Sequence, residues 1–280
     1  MAERNKAGKA ANVLEDKVEL DRYEAKYIIH PSLAPEIREF LRAFCVRDPN
    51  AAGDPPEYII TTLQLDSETL ALHYAKEREA VNRFKLRCRT YGTDGTAPVF
   101  IEVKRKIKGT IVKSRVMIPR KYWGPELFSG KPPDIPFRNR HERVNFGEFR
   151  RLMNVMDARP VMNIRYLRES YLGAQDDYAR VTFDRRLCYC PARGWELPPM
   201  GVRWRCMDSA TAFNRPFSGV ILELKTYRDA PIWMSNLTER FSLERTGFCK
   251  YSTAMRMESL FQGALYSEGA ENCTYSITGI

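Results

Sequence analysis

The sequence predicts an α+β fold: an antiparallel sheet with helices packed outside, whose charged faces can converge on a lumen if the sheet closes on itself. Three observations carry this expectation. Strand-sized segments sort charge onto one side: in "FKLRCRTYG", residues 84–92, Lys85, Arg87 and Arg89 share one face while Phe84, Leu86 and Cys88 share the other. Turn-forming stretches such as "GTDGTAP" and "KGT" separate neighbouring strands as in a meander. Segments with apolar residues at helical spacing offer apolar sides that can cover a sheet.

In chain order, residues 1–17 lack a sustained apolar face and read as a mobile arm. "VELDRYEAKYII" alternates as a strand, with Arg22, Glu24 and Lys26 opposite Tyr23, Ala25 and Tyr27. "SLAPEIREFLRAFCV" reads as a helix with Ser32 as candidate cap and Leu33, Ile37, Leu41 and Phe44 at helical spacing. After the loop "DPNAAGDPPE", "YIITTLQLD" is a strand, while "SETLALHYAKEREAVNR" is open between a helix and an extended connection. Strands follow over 83–91, 99–107 and 111–118.

The stretch "PRKYWGPELFSGKPPDIPFRNRHERVN" is Pro-rich and aperiodic, the pattern of a long surface excursion where binding groups often sit. "NFGEFRRLMNVM" brings Phe149, Leu152, Met153 and Met156 to helical spacing. Strands return at "PVMNIRYLRESY", "ARVTFDRRLCYC" and "GVILELKTY"; Pro231 opens the helix "PIWMSNLTERFSL", and "GFCKYSTAMRMESLFQ" precedes a small-residue tail. The expected organisation is an arm over 1–17, one tunnel domain over 18–255 and a tail over 256–280.

The sorting recurs across the sheet. Glu102, Lys104 and Lys106 oppose Ile101, Val103 and Ile107; Lys113 and Arg115 oppose Val112 and Val116; Arg180, Thr182 and Asp184 oppose Val181 and Phe183; Glu223 and Lys225 oppose Leu222 and Leu224. Two cations at i and i+2 sit roughly 7 Å apart, and at an effective dielectric of 20 they repel by about 2 kcal/mol before screening. No acid interleaves Lys85, Arg87 and Arg89. An anion that neutralises the array accounts for it better than a merely solvated face.

With 45 Lys and Arg against 35 Asp and Glu, the net charge of +10 directs the search to polyanionic partners. The cations alternate along strands instead of lining one helix, and no base-stacking platform is apparent, so nucleic acid is not the expected partner. The seven cysteines are scattered and lack CxxC spacing, which excludes a disulfide framework and a zinc site. The longest apolar runs are strand-sized and the N-terminal stretch has no apolar signal region, so neither a membrane span nor a leader is expected, and the location is cytoplasmic by default. His30, His73 and His141 suggest no catalytic dyad.

Taken in order, "RYEAKY", "TLQLD", "KLRCRTYG", "FIEVKRK", "VKSR", "RYLRESY", "RVTFD", "ILELK" and "GFCKY" resemble the motifs of the VTC (vacuolar transporter chaperone) polyphosphate polymerase domain, a branch of the CYTH-like triphosphate tunnel metalloenzymes. The resemblance implies a closed eight-stranded antiparallel tunnel that transfers the γ-phosphate of ATP to a growing polyphosphate chain, with Mn²⁺ or Mg²⁺ as the metal. It further implies that Lys26, Arg87, Arg89, Lys104 and Glu223 are the catalytic set, with Glu223 the metal ligand. Lys76, Lys113, Tyr166, Arg168, Arg180 and Lys250 are the implied phosphate contacts. For Glu24, Glu102 and Glu223, metal binding and a local salt bridge to a neighbouring Lys both stand open.

Several positions depart from the family pattern. Gly247 and Cys249 stand where the last motif usually carries Lys and Ser, and Gln64 where an aromatic is usual. Tyr166 and Arg168 fall on the parity of apolar Met162 and Ile164, which requires a bulge or an early strand end. The first strand has Arg22, Glu24 and Lys26 where hydrolytic relatives present two glutamates before a Lys, which favours holding a chain over two-metal hydrolysis. A non-catalytic binder of polyphosphate or inositol phosphates and a metal-dependent triphosphatase are the competing functions.

Overall fold

The structure is a computed structural model that describes residues 23–108, 110–175, 178–227 and 229–266; the expected arm, Arg22 and the end of the tail lie outside these residues. The strands are β1 (Tyr23–Ile29), β2 (Cys45–Arg47), β3 (Glu57–Asp66), β4 (Arg83–Tyr91), β5 (Val99–Ile107), β6 (Thr110–Ile118), β7 (Arg159–Gly173), β8 (Arg180–Pro191), β9 (Arg205–Cys206) and β10 (Val220–Thr226). The helices are α1 (Leu33–Leu41), α2 (Ala71–Glu77), α3 (Arg140–Val155), α4 (Ala210–Phe213), α5 (Ile232–Arg240) and α6 (Lys250–Tyr266). The boundary expected between 255 and 256 falls within α6.

The hydrogen-bonded path runs β1-β10-β8-β7-β3-β4-β5-β6, with β2 on β7 and β9 on β8 off the path, and every ladder is antiparallel. β1 and β6 are its two ends, and no ladder joins them among the described residues. The sheet is therefore an open half-barrel, which corrects the closed tunnel expected from sequence. Alternation fixes the direction of side chains, but closure needs strand tilt and stagger that bring two edge backbones into register, and alternation carries no such information.

Two outer apolar clusters cover the convex face. Phe146, Phe149, Leu152 and Met153 of α3 join Leu63, Leu65, Leu86, Cys88, Ile101, Val103, Val116 and Ile118 of β3 to β6. Ala34, Ile37 and Leu41 of α1 and Met234 and Leu237 of α5 join Tyr27, Ile29, Val181, Phe183, Leu222 and Leu224 on the other half of the sheet. A third cluster lies on the concave face, where Phe248 just before α6 and Tyr251 and Ala254 in its first turns meet Ile60, Met162, Ile164, Tyr166 and Ile221. The half-barrel is thus partly filled from within by its C-terminal helix.

Local detail departs from the sequence reading in four places. α1 ends at Leu41 and the chain turns into β2, so Phe44 is not helical. Ser32 has helical torsions and makes no cap; its Oγ meets His30 Nδ1 at 2.7 Å. α3 begins at Arg140 because Asn139 Oδ1 accepts from the Glu142 amide at 2.9 Å while Glu142 Oε2 accepts from the Arg138 amide at 2.9 Å. The expected surface excursion is instead anchored, since Leu127, Phe128 and Ile135 are buried in the first cluster.

The parity conflict at Tyr166 is resolved on the neighbouring strand. From Glu57 to Gln64 of β3, β7 stays in phase with that strand, pairing Ile60 with Tyr166 and Tyr58 with Arg168, and the register shifts only beyond, between Gln64 and Leu65. Its register with β8 shifts between Arg165 and Leu167, where β8 carries the extra residue and Arg186 adopts φ 52°. Met162, Ile164, Tyr166 and Arg168 therefore share the concave face, which is apolar under α6 and charged beyond it.

A candidate phosphate-binding groove

Cross-strand partners share a face, and the register carries one charged face across the sheet. Lys26 is opposite Glu223, Glu24 opposite Lys225, Arg168 opposite Asp184, Arg87 opposite Glu102, Glu102 opposite Arg115 and Lys104 opposite Lys113. Curling brings β1, one end of the sheet, within reach of β5, the strand next to the other end: Lys104 Nζ on β5 lies 3.0 Å from Glu24 Oε2 on β1.

Each carboxylate gathers several cations. Glu102, fully buried, takes Arg87 Nε at 2.6 Å, Lys113 Nζ at 2.8 Å and Arg115 Nε at 3.4 Å. Asp184 takes Arg168 through two bonds of 2.6 and 2.7 Å and Lys250 Nζ at 2.6 Å. Glu223 is approached by Lys225 at 2.6 Å, Arg168 at 3.4 Å, Lys250 at 3.6 Å and Lys26 at 3.8 Å. Glu24 takes Lys26 at 2.8 Å. The cations outnumber these acids, so the face keeps a net positive charge.

Burial and mutual repulsion tune the lysines. Burial, with Lys26 and Arg87 nearby, lowers Lys104 to about 8 against the pull of Glu24. Burial, with Arg87 and Arg89 nearby, lowers Lys113 to about 7 against Glu102. Burial alone would raise Glu102 and Glu223, yet surrounding cations hold both well below the usual carboxylate range. Arg89 is 7 % exposed, and its Nε has no hydrogen-bond partner; neither has the buried Oγ1 of Thr62, its cross-strand neighbour. A buried guanidinium donor without an acceptor is costly, and both atoms belong to the charged face.

The VTC domain profile matches residues 21–259. The chain belongs to the VTC domain family. Among solved structures it is similar to the PH1819 protein of Pyrococcus horikoshii OT3, at 14% identity over 86% of this chain and 99% of that one, with a TM-score of 0.42. It is also similar to a putative adenylate cyclase from Vibrio parahaemolyticus, at 9% identity over 84% and 97% of the two chains and a TM-score of 0.41. The Mimivirus capping enzyme triphosphatase is similar at 10% identity over 85% and 97%, with a TM-score of 0.32.

In this VTC domain, Lys26, Arg87, Arg89, Lys104, Lys113, Tyr166, Arg168, Glu223 and Lys250 lie on the charged concave face or directly at its border with α6. Tyr166 lies under Lys250, whose Nζ is 4.7 Å from the ring centroid. Two expected contacts are paired with acids away from the array described above. Lys76 sits on α2 paired with Glu79, beside a separate cavity. Arg180, the cross-strand partner of Lys225, shares the concave face and is there paired with Asp48 and bonded to Ser170 Oγ at 3.3 Å.

The expected set omits Lys85, Arg115, Lys225 and Asp184. Their alternation with apolar neighbours was the available signal, and Asp184 in "RVTFD" shares the parity of Arg180 and Thr182. Among the described residues no group of three or more His, Cys, Asp or Glu forms a protein-only metal cage, and no helix is long and apolar enough to cross a membrane. Glu24 and Glu223, which both meet Lys26, are nonetheless hard oxygen donors of the kind a divalent ion takes one or two of while phosphate and water oxygens fill its remaining positions.

Proposed function

We propose that this VTC domain is an ATP-dependent polyphosphate polymerase acting in the cytoplasm, with the concave face as the seat of a phosphate chain. The observation that carries the reading is the cross-strand array of Lys and Arg on one inward face, together with the acceptor-free Nε of buried Arg89. Family membership supports a substrate built of phosphate. In the proposed reaction an oxygen of the chain's terminal phosphate attacks the γ-phosphorus of ATP, the new P–O bond forms as the bond to the β-phosphate oxygen breaks, and ADP leaves.

Arg87, Arg89, Lys104 and Lys113 hold and orient the phosphoryl oxygens, and Lys26, Arg168 and Lys250 hold the neighbouring stretch of the chain. Phosphoryl transfer draws its rate from in-line positioning and stabilised charge rather than from a protein nucleophile. A divalent metal, held by Glu223 with Glu24, would supply charge neutralisation on bridging oxygens. Lys104 and Lys113 take up protons as anionic charge arrives, so the groove gains positive charge as it fills.

The test is incubation of purified protein with ATP and Mn²⁺ or Mg²⁺, followed by gel separation of products. A ladder of polyphosphate is expected, and no ladder with any metal or primer removes the polymerase. Salt-sensitive binding without turnover would identify a binding module, the reading favoured by Gly247 and Cys249. Orthophosphate release from triphosphate far exceeding chain growth would identify a triphosphatase.

A further inference from the structure

Cys249 stands at the start of α6, with its carbonyl accepting from the Thr253 amide at 2.9 Å and its Sγ from the Ser252 amide at 3.5 Å. Lys85 Nζ, reaching from β4, donates to Sγ at 2.8 Å. Burial alone would raise this thiol, but the Lys85 charge and hydrogen bond, with the Ser252 amide, outweigh it and bring Cys249 down to about 6. Burial pushes Cys45, Cys188 and Cys190 the other way, up to about 12. At neutral pH Cys249 is a thiolate and these three are thiols, and the thiolate is the nucleophile.

Cys249 also borders a cavity of about 390 Å³ whose charged lining is Lys76, Arg215 and Arg256 against Glu77 alone. Ser252 lines the same cavity, is only 8 % exposed, and its buried Oγ has no hydrogen-bond partner. A half-buried thiolate, an unpaired hydroxyl and three cations border one polar space. We propose that Cys249 is a modification site for anionic low-molecular-weight disulfides, whose carboxylates the Lys76, Arg215 and Arg256 side chains recognise.

The step is a thiol–disulfide exchange. Cys249 Sγ attacks one sulfur of the incoming disulfide, the original S–S bond breaks, and a mixed disulfide forms on Cys249. The other half leaves as a thiolate that takes a proton from water, so the protein thiol is oxidised by the electron pair that reduces the departing half. The mixed disulfide carries no charge on Sγ, and Lys85 is left as an uncompensated cation at the edge of the groove. Any effect on chain synthesis rests on the polymerase reading above; the labelling chemistry does not.

The experiment treats the full chain with glutathione disulfide, and separately with cationic cystamine, at neutral pH under native conditions, and maps adducts by mass spectrometry. Adduct is expected first at Cys249, about a hundredfold faster than at Cys45, Cys188 or Cys190, the ratio that thiolate fraction and intrinsic nucleophilicity give together. Glutathione disulfide should outpace cystamine at Cys249, and the Arg215→Ala, Arg256→Ala double variant should lose that preference while its alkylation by neutral iodoacetamide stays unchanged. Lys85→Met should slow both disulfides, which keeps the test open if Cys249→Ser fails to fold. Labelling spread evenly over the cysteines, or equal rates for the two disulfides, overturns the proposal whatever the ladder assay gives.

Discussion

Arg87 Nε on β4 donates to Glu102 Oε2 on β5 at 2.6 Å, directly across the ladder, while the other oxygen of the same carboxylate holds Lys113 from β6. One buried acid on β5 thereby spaces cations from the two strands that flank it. Glu102 is read as an anchor of the array rather than as a metal ligand.

Glu102→Gln should therefore destabilise the free protein, because the charges of Arg87, Lys113 and Arg115 lose their common partner. Breaking a buried pair from one side costs about 3 to 5 kcal/mol, and thermal unfolding should register a clear drop. Added tripolyphosphate should recover much of the loss by supplying negative charge to the same cations. An unchanged melting temperature would show that the carboxylate does not organise them.

Arg87→Ala and Glu223→Ala should each abolish the polyphosphate ladder while far-ultraviolet circular dichroism stays native. Loss of transition-state contacts of this kind costs on the order of a hundredfold or more in rate. Wild-type chain growth in either variant would mean that the reacting phosphates lie elsewhere.

Lys104 and Lys113 give a proton-linked prediction. Their folded values, about 8 and about 7, lie below the unfolded lysine value, so between pH 7 and 10 the unfolded chain binds more protons and the contribution of these groups to stability rises with pH. Anion binding reverses the depression. Calorimetric titration with tripolyphosphate at about pH 8, repeated in buffers of different ionisation enthalpy, should report net proton uptake; proton release would contradict the assignment of these lysines to the binding face.

Phe149→Ala should cost about 3 to 5 kcal/mol of stability through a cavity between α3 and the sheet. Chain growth per folded molecule should be unaffected at temperatures well below unfolding, since Phe149 lies on the convex side. A selective loss of activity without loss of stability would tie the outer cluster to the groove.

Much of this arrangement was legible because alternation is a local property. β4, β5 and β6 fall within a residue of the expected bounds, and the charge sorting at Arg87, Glu102 and Lys113 follows from it directly. What escaped depends on distant partners. Arg180 is held by Asp48 from a loop before β3, and Lys76 by Glu79 on the turn that follows α2, and neither pairing shows in strand periodicity. The phase of β7 was unreadable because the irregularity sits on β8 at Arg186, a residue that looks ordinary in sequence. Closure likewise depends on edge geometry that no run of residues encodes.

The Glu24–Lys104 contact gives the open edge a mechanical meaning. The β1 margin, tied across to β5 by a side-chain ion pair, can part from it without unravelling any strand, because the bond given up is one that a competing anion can replace. A long polymer would then need no free end to be threaded: it could be laid in sideways along the seam and lifted out the same way, with Glu24 and Lys104 acting as the clasp.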